Sequence, residues 1–114
     1  LKSLFMSERE VLLNNIIEKW DHIQFAINKT IQDEEMDNYI RNVSEKLNEI
    51  KNENFERESF DMVETYIVLL ESRLDEMVVD NEIPKKLWAL INSSIYNFNV
   101  YLSYLMVNSI KIKK

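Results

Sequence analysis

The chain is predicted to be an all-α protein, an antiparallel up-down four-helix bundle. Three observations lead there. It contains no Gly and a single Pro, Pro84, in 114 residues, whereas a β-rich fold of this length normally needs several Gly or Pro for its turns. Apolar residues recur at alternating spacings of four and three, which is one face of a helix. Four such stripes are separated by breaks of only three to five residues, and short connections force neighbouring helices to run antiparallel.

The first helix is predicted over about 8–30. Ser7-Glu-Arg-Glu10 reads as a capping box, with the serine accepting from an early helix N–H and Glu10 reaching back to it. Its stripe is Leu12, Ile16, Trp20, Ile23, Ile27 and Ile31, widened by Val11, Leu13 and Ile17. The second helix, about 34–51, follows Asp33 as N-cap, with Glu34, Glu35 and Asp37 well placed in the positive first turn. Met36, Ile40, Val43, Leu47 and Ile50 form its stripe, and the opposite face is charged or amide. Asn52-Glu-Asn54 ends it.

The third helix, about 56–79, carries Phe60, Val63, Ile67, Leu70, Leu74 and Met77, with Met62, Tyr66 and Leu69 widening the face. Pro84 then suits the first turn of a new helix and no interior position, so the fourth helix should run over about 84–110. The alternating spacing favours shallow crossing angles. A three-helix core with a detached first or last helix is the competing arrangement.

Leu87 to Ile110 is unusual: twenty-four residues without one charged side chain. The run is long enough to span a bilayer, but it contains Asn92, Asn97, Asn99, Asn108 and four serines. Amides are costly in hydrocarbon unless paired with another helix, so a membrane span is not expected. On a helix, Leu87, Ile91, Ile95, Phe98, Leu102 and Leu105 form the core stripe. Asn92, Asn99 and Ser103 fall on one flank, and Asn97, Tyr104 and Asn108 on the other. Trp88, Tyr96, Val100, Tyr101 and Val107 exceed what one core stripe needs. Interface cores are depleted in charge and enriched in aromatic residues, while a helix apolar on most sides is usually buried. Both readings of the outer face stay open: the most buried helix of four, or a contact surface.

Composition bounds the rest. Length and hydrophobic content (46%) fit a single globular domain, residues 1–114; the start at Leu1 is also compatible with a fragment of a longer chain. The absence of Cys removes disulfides, thiolate metal sites and a Cys nucleophile and fits a reducing, cytoplasmic compartment, although a secreted or tethered chain would read the same. Frequent Asn, Ile and Lys indicate an AT-rich genome, so the three glycosylation-like triplets at Asn28, Asn42 and Asn92 are read as accidental. The net charge of −6 resolves into zero over residues 1–30, −9 over 31–86 and +3 over 87–114. An acidic middle repels phosphate backbones, which excludes nucleic acid as the expected partner.

Catalytic patterns are missing. One histidine, His22, cannot supply a di-iron site or a His-Glu-x-x-His zinc site. No Gly means no phosphate-cradling loop or dinucleotide fingerprint. The carboxylates fall at helix starts or on solvated faces, where capping and solubility account for them. The sequence therefore predicts no catalytic, cofactor or metal residues and no enzyme activity.

The leading expectation is a small acidic helical module of the immunity, inhibitor or accessory type that binds a protein, including a second copy of itself. Trp88, Tyr96, Tyr101 and Tyr104 would make the contact, and Glu34, Glu35, Glu56 and Glu58 would steer a basic partner. A bundle binding an apolar ligand among Trp20, Phe25, Phe60, Tyr66, Trp88 and Phe98 is a second expectation. A domain of a membrane-tethered or multidomain protein is a third.

Overall fold

The structure, a computed structural model, describes residues 7–52 and 56–113, with the side chains of the last helix described as far as Ser109. Four helices follow in order: α1 (Glu8–Thr30), α2 (Glu34–Lys51), α3 (Arg57–Val79) and α4 (Lys85–Lys113). Each lies within a few residues of its predicted range. Glu53 and Asn54, predicted to help end α2, lie outside the described residues.

The caps explain the boundaries. At α1, Glu10 N donates to Ser7 Oγ at 3.1 Å and Ser7 N donates to Glu10 Oε1 at 3.3 Å, completing the capping box. At α2, the Asp33 carboxylate accepts from Met36 N at 3.1 Å. The end of α3 needs a left-handed residue, normally Gly. Asn81 takes that role at φ 61°, since its short polar side chain tolerates positive φ better than most. Glu82 N then donates to Met77 O at 2.8 Å and Asn81 N to Val78 O at 3.2 Å, the bond pair of a Schellman close. One asparagine thus lets a chain without glycine turn sharply. Pro84 sits just before α4 and its carbonyl accepts from Trp88 N at 3.1 Å.

All four stripes converge on one core. Ile16, Trp20, Ile23 and Ile27 of α1 meet Met36, Ile40, Val43, Leu47 and Ile50 of α2. Phe60, Val63, Ile67, Leu70, Leu74 and Met77 come from α3, and Ile91, Ile95, Phe98, Leu102 and Leu105 from α4. No helix is detached, so the three-helix alternative does not hold. The closest packing joins α2 to α3 and α1 to α4, and α3 to α4 completes the ring. The bundle is elongated, 52 × 27 × 19 Å.

Consecutive α1 and α2 stand farther apart, and Trp20 occupies the space between them. Its indole N–H donates to Ser44 Oγ at 2.9 Å, and the Ser44 hydroxyl donates on to Gln24 Oε1 at 3.4 Å. The same ring packs against Phe98 of α4, centroids 5.6 Å apart. One large side chain therefore reaches from α2 to α4 through the core, with its single polar group satisfied. Phe25, two residues beyond the buried Ile23, falls on the other side of α1 and is 67% exposed.

Candidate functional site

The surface that differs from the rest is the outward face of α4. At about 100° per residue, Ala89, Ser93, Tyr96, Val100, Ser103 and Val107 lie opposite the core stripe, at spacings of four, three, four, three and four. They carry no charge. All are exposed except Val100, which is half-buried; Tyr96 is 68% and Val107 54% exposed. Leu90 and Tyr104 extend the face toward α1 at 63% and 58%. A heptad-spaced stripe is what one helix presents to another in a coiled-coil-like contact. Here it is solvent-facing.

The four aromatic residues expected to form a contact are divided by the fold. Tyr96 and Tyr104 are on the surface. Trp88 is half-buried against α3, its indole N–H donating to Asp75 Oδ1 at 2.8 Å. Tyr101 is half-buried beside α1, where the Lys19 ammonium stands 4.6 Å from its ring centroid and Tyr104 meets it edge-on at 6.4 Å. Two of the four thus present their rings outward, and two tie α4 to its neighbours.

The expected steering carboxylates are likewise spread. Glu34 and Glu35 lie in the first turn of α2, diagonally across the bundle from α4. Glu35 accepts from the Tyr39 hydroxyl at 3.2 Å. Glu56 precedes α3 and Glu58 lies in its first turn, at the opposite end of the bundle. The helices are roughly 30 Å long, so the two pairs do not form one patch. Carboxylates of α3 lie on its α4 side: Glu64 lines a groove with Asn99 and Ser103, Asp75 accepts from Trp88, and Glu71 neighbours Asp75; none of the three is among the expected steering residues. Their heptad position toward α4 was legible once the order of helices was known, and the linear sequence does not supply that order.

Glu71 is half-buried there. Burial, and then the neighbouring Asp75 carboxylate, push its pKa above the usual carboxylate value. Elsewhere, Asp33 accepts two hydrogen bonds from Arg73, 3.1 Å from Nε and 2.9 Å from Nη2, and this guanidinium holds its carboxyl below the usual value. Arg73 also donates to Glu76 at 3.1 Å. This cluster joins the α1–α2 turn to α3 and is a structural clasp.

An open apolar groove of about 600 Å³ lies between α1 and α4, lined by Ile23, Phe25, Ala26, Leu90 and Ile91, with Asp21, His22 and Ser94 also on its lining. It adjoins the α4 face at Leu90. His22 is exposed, as its place off the α1 stripe predicts. Among the described residues, no group of three or more His, Asp or Glu is placed to hold a metal ion, and no helix is long and apolar enough to cross a membrane.

The bundle and its uncharged helix face define this chain as a compact helical module with one distinctive surface. No protein-family model matches it, and no curated protein and no solved structure matches it either.

Proposed function

We propose that the chain acts as a non-enzymatic protein-binding module, in a reducing cytoplasmic setting, and that the outward face of α4 is its contact surface. One observation carries this reading: after four helices have closed a complete core, the longest uncharged stretch still exposes Tyr96, Tyr104, Leu90 and Val107. A monomeric helix gains solubility by placing charge outward, as α2 does over most of its outer face. Contiguous exposed apolar surface with amide and hydroxyl neighbours is typical of contact faces. The groove at Phe25 and Leu90 gives a partner side chain a seat beside the stripe, and the acidic α3 edge favours a partner bearing Lys or Arg around its apolar centre.

Photo-crosslinking in the cells that make the protein tests this. A photoreactive residue at position 96 or 107 should give a discrete product of higher mass, and one at the exposed position 45 of α2 should not. Equal crosslinking from all three, or none from any, would refute the proposal.

A further inference from the structure

Because α1 and α2 are the least closely packed neighbours, a cleft of about 160 Å³ opens between them. That is room for roughly five waters at about 30 Å³ each, or for one small molecule of similar volume. The cleft lies across the bundle from the α3–α4 seam, so it is separate from the outward face of α4.

Its polar side chains are sorted along its length. Trp20 on the floor is level with Ser44, to which its indole N–H donates. The helices run antiparallel, so Asp21 and Gln24 of α1 lie toward the α1–α2 turn, and Asn48 and Lys51 of α2 lie toward the other end. Between Asp21 and Lys51, Ile17 and Leu47 extend the apolar floor.

The end near the turn accepts hydrogen bonds. The Asp21 carboxylate has no donor, and the Ser44 hydroxyl donates to Gln24 Oε1 at 3.4 Å, which fixes how that amide faces. The Gln24 oxygen keeps a second lone pair for a ligand N–H. The far end donates, with three N–H groups on the Lys51 ammonium and two on the Asn48 amide.

Asp21 and Lys51 carry opposite charges, and neither is in an ion pair among the described residues. Lys51 is seven residues beyond Ser44, a rise of about 10 Å. Side chains tilt toward the N-terminus of their own helix, so across antiparallel helices these two lean toward each other without meeting. A ligand with opposite charges at its two ends would complete both, and a short carbon chain between them would rest on Ile17 and Leu47. We propose that this cleft binds a short ω-amino acid, its ammonium at Asp21 and Gln24 and its carboxylate at Asn48 and Lys51. An α-amino acid carries both charges on one carbon and engages one end only.

Titration with γ-aminobutyrate, followed through side-chain N–H signals in proton–nitrogen NMR spectra, tests the proposal. The Trp20 indole and the Gln24 and Asn48 amides should shift saturably, while the Trp88 indole, bonded to α3, should not. Butylamine, butyrate and alanine should each bind the unmodified chain about tenfold more weakly, since each forfeits a charged contact. Asp21→Asn and Lys51→Gln alter exposed positions, and circular dichroism should show both folded. Asp21→Asn should weaken γ-aminobutyrate about tenfold and leave butyrate unchanged. Lys51→Gln should weaken it equally and leave butylamine unchanged. No saturable shift at millimolar concentrations, or an equal shift at Trp88, would overturn the site. Butylamine or butyrate binding as tightly as γ-aminobutyrate would overturn recognition at two ends, and alanine doing so would overturn the length. Folded variants that bind like the parent would overturn the roles of Asp21 and Lys51.

Discussion

Glu71 shows how a single residue carries the cost of its place in the fold. It faces the α3–α4 seam beside Asp75, whose carboxylate takes the Trp88 indole hydrogen bond. No cation is paired with it among the described residues. Burial and the Asp75 charge both oppose its ionisation, so the folded chain holds the Glu71 proton more tightly than the unfolded chain does. The resulting penalty is absent below the unfolded-state pKa, grows as pH rises through the folded-state value, and is fully present at neutral pH. Glu71→Gln keeps the shape and removes the charge. It should therefore raise the melting temperature at pH 7, and the gain should vanish as the pH falls below the carboxylate range. Parallel thermal melts at the two pH values check this. Nothing in the linear sequence distinguishes Glu71 from Glu64 or Glu76; only the packing of α4 against that side of α3 does so.

At the scale of an element, α4 has two uncharged faces with different physical roles. Phe98 is fully buried between Trp20 and the other core residues, and Phe98→Ala should cost about 4 kcal/mol through lost burial and the cavity left behind. Tyr96 two residues earlier is on the opposite side. Tyr96→Ala should change stability by less than about 0.5 kcal/mol. Urea denaturation of the two variants measures the contrast directly, and equal losses would mean that the outer face is also packed. Both stripes of this helix are readable as periodicities in the sequence. Their ranking is not, because an uncharged residue at a regular spacing looks the same whether a neighbouring helix covers it or water does. Trp88 and Tyr101 illustrate the difficulty: they fall outside the core stripe, yet Asp75 and Lys19 on adjacent helices engage them.

For the whole molecule, the Asp33–Arg73 pair links residues forty positions apart and holds the α1–α2 turn against the last turns of α3. Asp33 serves both as N-cap of α2 and as acceptor for a two-pronged guanidinium contact, a geometry stronger than a point charge would give. Asp33→Asn retains a competent cap and removes the charge, so it isolates the clasp. Because the folded-state pKa of Asp33 is depressed, its contribution is present above the unfolded-state value and is lost as pH falls through the folded-state value. Asp33→Asn should accordingly be less stable than the parent at pH 7, with the difference disappearing in acid. That pH response is opposite in sign to the one expected of Glu71→Gln, and the same melts distinguish them. The sequence identifies Asp33 as a cap from its local setting, whereas Arg73 appears there only as a solvated base of α3.

By itself the sequence determined the four helices, the caps at Ser7 and Asp33, the break at Pro84 and the residues that fill the core. These depend on short-range geometry: hydrophobic spacing against a helical period, a side chain reaching its own first turn, and a ring that cannot donate. The tertiary structure decided what depends on neighbours. It set which helices pack closely and placed Trp20 as the link between α1 and α2. It recruited Arg73 to Asp33, and it left Tyr96 and Tyr104 exposed while half-burying Trp88 and Tyr101. Burial, and the pKa shifts and exposed faces that follow from it, is a property of pairs of helices, so it is settled only when all four are in place.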